Sequence, residues 1–217
     1  MDIGSFLRSL TAADLALLLI FAGAFVLGFF QGGTRGLMGL LAWLFAFVIG
    51  VTVWQPLGDW LSGSWTMYSL TYDRMLAFLI GFIVSLVIGA ILIVSVTKRA
   101  PLLPRWPLAD EVLGGFLFVF LALLITGSIM LALDSAYPLG VAGHEDVPWL
   151  TSIQEALQGS VLGGWINSTI VPLLLTVFGP IIPDEFEQLA SGAPVEDRGR
   201  RPQGRRRAVR RTPARAA

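Results

Sequence analysis

Four long apolar runs, separated by short polar stretches, make up most of the chain from position 1 to position 135. They cover approximately Leu15–Phe30, Leu37–Trp54, Met75–Thr97 and Val112–Leu133. A helix needs about 20 mostly apolar residues to cross the bilayer core. The segment must be helical because lipid offers no hydrogen-bond partners, so the backbone N–H and C=O groups must pair with each other. The pattern therefore predicts an all-α fold, a polytopic membrane helix bundle with four spans over residues 1–135.

A fifth, weaker apolar run covers residues 166–182, "INSTIVPLLLTVFGPII". Its length is at the lower limit of the range of about 17–25 residues that a span needs. Asn167, Pro172 and Pro180 further reduce its helical and apolar quality. We therefore expect residues 136–187 to form an extracytoplasmic segment whose apolar helix lies at the membrane interface. The alternative is a fifth span.

The polar stretch between the second and third runs, residues 55–74, has its own periodicity. One side collects large residues at spacings of four, four, three and four: Leu57, Leu61, Trp65, Tyr68 and Tyr72. Aromatic residues favour the headgroup region, so this pattern predicts a separate amphipathic helix along the membrane surface. A loop is the alternative, because Gly58 and Gly63 each weaken a helix by about 1 kcal/mol.

The composition supports a membrane protein and excludes several chemistries. Of the 217 residues, 55% are hydrophobic and 14% are charged, against about 25% charged in soluble domains. The lipid bilayer is thus the first expected partner. The chain has no cysteine and a single histidine, His144, so zinc-thiolate sites and histidine clusters are excluded. The serines lie in no nucleophile motif of the Gly-x-Ser-x-Gly type, and we expect neither enzymatic activity nor a cofactor.

Four acidic residues stand at the ends of the predicted spans: Asp14, Asp110, Glu111 and Asp134. Carboxylates at span ends can reach water, so we interpret them as boundary markers rather than as parts of an ion pathway. Asp110 and Glu111 can also stabilise the start of the fourth helix through its dipole.

Basic residues in the short loops predict how the bundle is oriented. Lys98, Arg99 and Arg105 mark the loop between the third and fourth runs as cytoplasmic. Arg35, which lies between the first two runs, is then cytoplasmic as well, and the N-terminus is outside. Residues 134–197 contain no lysine or arginine, so we expect the segment after the fourth run to face outward.

The stretch 198–217 differs from the rest of the chain. The whole chain has no net charge, yet this stretch holds nine arginines and no acid. Such a dense run of like charges predicts disorder, and we assign residues 188–217 to a disordered arginine-rich tail. Next to a membrane it would bind anionic lipid or act as an anchor. Nucleic acid is an unlikely partner, because no aromatic residue is interleaved for base stacking.

Small residues recur at every fourth position in two of the runs. The stripes consist of Ala24, Gly28 and Gly32 in the first run and of Gly81, Ser85 and Gly89 in the third. Stripes of this kind let two membrane helices approach closely. We therefore predict a tight helix contact at each stripe.

Two sequence stretches resemble the colicin V production protein family (CvpA). In "GFFQGGTRGLMGLLAW", Gly28, Arg35 and Gly36 match the glycine and the arginine-glycine pair of the first hairpin. In "ADEVLGGFLFVFLALL", the family's motif at the start of the fourth helix is matched at Asp110, Leu113 and Gly114. Glu111 departs from the motif, since arginine is usual at that position.

The resemblance extends over roughly residues 12–185 and carries functional expectations. It implies a multi-pass protein of the bacterial inner membrane that is linked to colicin V production or export and to envelope maintenance, with no established catalytic activity. Two other functions stay open. The chain could be a small channel or transporter subunit, or a membrane assembly scaffold that binds copies of itself or other envelope proteins.

Overall fold

The computed structural model describes residues 10–64, 70–96, 103, 105–136 and 148–180, and every structural statement below concerns these residues. Within these ranges the chain forms six helices and no strand. The helices are α1 (Ala12–Gln31), α2 (Gly33–Ser64), α3 (Leu70–Val96), α4 (Pro107–Ala136), α5 (Pro148–Gln158) and α6 (Val161–Phe178). The predicted all-α fold is therefore confirmed.

Five of these helices, all except α5, are long and apolar enough to cross a membrane, judged by length and composition. The first, second and fourth predicted runs lie within α1, α2 and α4, and the third follows α3 to its end at Val96. The polytopic membrane helix bundle is thus confirmed. α5 is short and amphipathic.

A single residue separates the first two helices. α1 begins with a capping box in which Thr11 and Asp14 bind each other's backbone N–H groups, and Gly32 caps its C-terminal end. Gly32 has a φ of 78°, a left-handed conformation that glycine adopts without strain, and its N–H donates to the Gly28 carbonyl over 2.9 Å. The chain re-enters a helix at Gly33, so a tight turn joins α1 to α2; we call the two helices with this turn the α1–α2 hairpin.

The prediction of a separate surface helix over residues 55–74 is wrong for the part that the structure describes. Residues 55–64 continue α2, which runs for 32 residues through Pro56, and residues 70–74 begin α3. Trp65 and Tyr68 lie outside the described residues. Arg74 packs on Gly58 and pairs with Asp59 over 3.1 Å, so the long α2–α3 pairing holds the helix together in spite of its proline and glycines.

The core of the bundle is an aromatic cluster. Its members come from three helices and are all buried: Trp43, Phe47, Phe78, Phe82 and Phe178. Neighbouring ring centroids lie between 4.7 and 5.9 Å apart. The indole N–H of Trp43 donates to the Ser128 hydroxyl over 3.2 Å, which ties α2 to α4 at the same level. Large rings therefore fill the middle of the bundle.

Polar contacts attach α5 and α6 to one end of the bundle. Gln154 and Gln158 both donate to the Asp134 carboxylate, over 2.8 and 2.6 Å, and so fix α5 against the end of α4. The N–H of Leu162, at the start of α6, donates to Asp14 over 2.8 Å. We call this end of the molecule the Asp14 end (residues 12–14 and 160–162). The opposite end, with residues 31–36, 103 and 105–110, is called the Arg35 end.

α6 starts at the Asp14 end but does not extend to the Arg35 end. Its last residue, Phe178, packs its ring against Phe47 and Trp43, with centroids 4.7 and 5.8 Å away. Those two residues follow Gly33 by fourteen and ten positions, which places them about 21 and 15 Å along α2 from the Arg35 end. α6 therefore ends about halfway through the bundle.

Candidate functional site

The residues of the two family-like motifs meet where α1 crosses α4. A Cβ atom added at Gly114 would lie 2.5 Å from the carbonyl oxygen of Gly28 and 2.6 Å from the carbonyl carbon of Gly32. A Cβ at Gly28 would likewise overlap the Gly114 backbone. The two helix backbones are thus in direct contact, which only glycine allows at these positions.

Asp110 lies next to this crossing and connects three parts of the chain. Its side chain is 5% exposed. One carboxylate oxygen accepts from the N–H of Gly33 over 3.4 Å, and the other accepts from the N–H of Leu103 over 3.3 Å. Asp110 lies in the first turn of its own helix, α4, yet its carboxylate reaches the first N–H of α2. Carboxylates stabilise helix N-termini, so Asp110 holds the α1–α2 hairpin on α4.

Arg35 lies in the first turn of α2 and is partly buried. Its Nε atom is shielded from solvent and has no hydrogen-bond partner within the described ranges. Asp110, the acidic residue matched in the second motif, is bound to Gly33 and Leu103. The structure therefore brings Arg35 to the same end as Asp110 without pairing the two.

The other motif residues differ in their surroundings. Gly36 faces α4, where an added Cβ would lie 2.7 Å from the Cβ of Leu117. Leu113 is 39% exposed on the outside of α4, in the region where lipid chains would contact it. Ala24 is partly buried. Gly32 approaches the Asp110 carboxylate, since a Cβ there would lie 2.8 Å from an Asp110 oxygen.

The second stripe of small residues lies on α3 and faces α2. A Cβ added at Gly89 would be 2.9 Å from the Cβ of Ala42, a very close approach, whereas one at Gly81 would be 3.6 Å from the Cα of Gly50, an ordinary contact. Ser85 is partly buried between them. The stripe is therefore packed tightly at Gly89 and less tightly at Gly81.

The sequence reasoning missed the full role of Asp14. This residue is completely buried, and it accepts hydrogen bonds from the backbone N–H and hydroxyl of Thr11, each over 2.9 Å. It also accepts from the first turn of α6 at Leu162. The Thr-x-x-Asp spacing before an apolar run is a signature of a helix start and could have identified the first contact. The contact with α6 joins residues 148 positions apart and left no signal in the sequence.

Metal binding finds no support in the parts of the chain that the structure describes. No group of three or more histidine, cysteine, aspartate or glutamate side chains comes together there. Of the three buried carboxylates in those parts, Asp14 and Asp110 accept from backbone N–H groups, whereas the oxygens of Asp73 have no hydrogen-bond partner there. What the arrangement provides is a set of close helix crossings, fixed at both ends by buried carboxylates.

Close-packed apolar helices with glycine crossings and capped ends define a multi-pass helical membrane protein. The sequence profile of the family described as colicin V production protein matches residues 13–180 of the 217. The chain belongs to the colicin V production protein family and is a multi-pass protein of the inner membrane. Comparison with curated proteins and with solved structures finds no match.

Proposed function

We propose that this protein is a non-enzymatic component of envelope maintenance or of colicin V-type toxin production and secretion, and that it acts as a membrane assembly scaffold. Membership of the colicin V production protein family supports the first part. The second part is based on how the centre of the bundle is packed.

The observation that carries the scaffold proposal is the aromatic cluster in the core. A pathway through a single chain would need space and polar groups near the bundle axis, because ionisable residues inside a membrane usually line such a pathway. Here that space is occupied by Trp43, Phe47, Phe78, Phe82 and Phe178, with neighbouring ring centroids 4.7 to 5.9 Å apart. A packed centre favours a protein that acts through its outer surface. The expected partners are a second copy of the chain or other envelope proteins.

The proposal includes an orientation for the bundle. The Arg35 end is cytoplasmic, because Arg35 and Arg105 both lie there and basic residues are disfavoured on the outer side. The Asp14 end then faces outward, together with α5. Lys98 and Arg99, which contributed to this prediction, lie outside the described residues.

A combined genetic and biochemical experiment tests the function. In a strain without its own copy of the gene, expression of the full chain should restore resistance to detergent, or export of colicin V where that toxin is made. Photo-crosslinking groups placed at lipid-exposed positions of α3, such as Ile83 and Ile91, should capture specific envelope proteins or a second copy of the chain. The matched control is a group at Phe78, which is fully buried and should capture none.

A flux measurement distinguishes the scaffold from the channel or transporter. The purified chain in lipid vesicles should pass ions and small solutes no faster than empty vesicles do. A flux that rises with the amount of protein, together with no captured partner from native membranes, would contradict the scaffold proposal and favour the small channel or transporter subunit.

A further inference from the structure

The two arginines that the structure describes within long helices have opposite surroundings. Arg74, on α3, donates to Asp59 through Nε and an Nη atom over 3.2 and 3.1 Å, and its guanidinium lies 5.4 Å from the ring centre of Trp54. Arg35 has no comparable acceptor in the described ranges, although its Nε is shielded from solvent. A buried, charged N–H group costs free energy unless an acceptor binds it. Within the described residues the guanidinium of Arg35 therefore lacks the acceptor that Arg74 has in Asp59.

The position of Asp110 excludes the simplest internal acceptor. Its two oxygens bind the N–H groups of Gly33 and Leu103, and this geometry holds the start of α2 against the segment before α4. The Asp110 carboxylate thus accepts hydrogen bonds from backbone N–H groups and not from the Arg35 guanidinium.

The same contacts bring a second arginine to this end of the bundle. Arg35 follows Gly33 by two positions, and Arg105 follows Leu103 by two positions, while Asp110 binds both Gly33 and Leu103. Arg105 is exposed, and the neighbouring Trp106 is 68% exposed. Tryptophan favours the boundary between lipid chains and headgroups, so the Arg35 end lies at the level of the lipid phosphates.

We propose that Arg35, together with Arg105, forms a binding site for the phosphate group of an anionic phospholipid. The planar guanidinium of Arg35 donates its two Nη groups to two phosphate oxygens, a paired geometry that arginine forms with phosphate and that lysine cannot reproduce. Arg105 adds a second positive charge from the exposed side. The site concerns the lipid partner at the Arg35 end, so it goes beyond the scaffold function and does not depend on it.

Lipid binding to the purified full chain tests this site. Native mass spectrometry would count bound phosphatidylglycerol and, separately, phosphatidylcholine, for the wild type and for Arg35→Gln, Arg35→Lys and Arg74→Gln. A hydrogen bond to a charged group corresponds to about a tenfold or greater change in affinity. We expect Arg35→Gln to weaken phosphatidylglycerol binding by about that factor, and Arg35→Lys to weaken it less. Arg74→Gln, the matched control, should leave it unchanged, because Arg74 already pairs with Asp59.

Competition with inorganic phosphate shows whether the phosphate group that binds at this site belongs to a phospholipid or to a soluble compound. If phosphate at millimolar concentration displaces phosphatidylglycerol from the wild type, the site recognises phosphate alone and a soluble phosphate compound becomes its ligand. That result would overturn the lipid assignment. If phosphate has no effect while phosphatidylglycerol binds more tightly than phosphatidylcholine, the lipid assignment stands.

Stability measurements keep the proposal testable if Arg35→Gln folds poorly. A ligand that binds the native state raises the melting temperature, so phosphatidylglycerol should stabilise the wild type more than phosphatidylcholine does. This extra stabilisation should fall in Arg35→Lys and in Arg105→Gln, an exposed position where misfolding is not expected. Phosphatidylglycerol binding and stabilisation that are equal in the wild type and in all Arg35 and Arg105 variants would refute the site.

Discussion

Replacing Gly114 with alanine should destabilise the bundle, because the new methyl group has no space. An added Cβ lies 2.5 Å from the Gly28 oxygen, 2.6 Å from the Gly32 carbonyl carbon and 2.8 Å from the Gly32 Cα. All three are backbone atoms of the α1 end, so no side chain can rotate away. Relief requires α1 and α4 to separate by roughly 1 Å, the amount that restores ordinary packing distances.

The expected magnitude follows from two opposing contributions. Forcing an extra methyl group into a packed interface costs about 1–3 kcal/mol. Alanine is a better helix former than glycine by about 1 kcal/mol, which offsets part of that cost. Separating the helices also loosens the bond between Gly33 and Asp110, which lies one turn away. We expect a net loss of about 1–2 kcal/mol, roughly a five- to thirtyfold shift in the unfolding equilibrium.

Reversible unfolding of the full chain in lipid–detergent bicelles measures this difference. The matched control is Gly23→Ala on α1, where an added Cβ meets no atom within 4 Å. That variant should be as stable as the wild type or slightly more stable, because it gains helix propensity without a clash. If Gly114→Ala matched Gly23→Ala in stability, the close crossing of α1 and α4 would be wrong.

Three further predictions concern the buried polar contacts and the second stripe. Asp14→Ala leaves the N–H groups of Thr11 and Leu162 without their acceptor and should cost about 1–3 kcal/mol, with faster proteolysis near α6; unchanged proteolysis would contradict the contact. A double-mutant cycle of Trp43→Phe and Ser128→Ala should give a coupling free energy of about 0.5–1.5 kcal/mol, and zero coupling would refute their hydrogen bond. Gly89→Ala should lower the melting temperature more than Gly81→Ala does, since an added Cβ lies 2.9 Å from its neighbour at Gly89 and 3.6 Å at Gly81; the reverse order would contradict the α2–α3 packing.

The helices themselves could be predicted from sequence because length and apolarity determine them. Backbone groups in lipid must pair within their own segment, so each long apolar run forms a helix whatever it packs against. The ends of the helices depend on tertiary contacts. Residues 55–64 look polar and contain Pro56, yet they remain in α2 because Arg74 and the start of α3 pack against them.

In the candidate site, too, the sequence predicted which residues matter, whereas their contacts depend on the tertiary structure. The motif spacing identified Gly28, Arg35 and Asp110, but it did not show that the Asp110 carboxylate binds the first N–H of α2, 77 positions earlier in the chain. Asp14 and Leu162 are farther apart still, and their contact required the folded structure. Long-range hydrogen bonds of this kind depend on which helices become neighbours, and apolar periodicity contains no information about that.

The depth of α6 determines where the arginine-rich tail lies, and it yields a last prediction. α6 ends beside Trp43 and Phe47, about 15 to 21 Å from the Arg35 end of a bilayer core that is about 30 Å thick, so it does not reach the inner surface. A crossing to the inside would place Pro183, Asp184 and Glu185 in the apolar core, where prolines break helices and unpaired charges are costly. The first tail arginine is Arg198, at the limit of the roughly 15–20 residues from a helix end over which the charge rule acts. We therefore expect the tail to be outside, so that alkaline phosphatase fused after residue 217 is active and a fluorescent protein fused there is dark. A fusion after Arg105 is the control and should give the reverse pattern. A fluorescent C-terminal fusion with inactive phosphatase would show that the chain beyond α6 completes a fifth crossing.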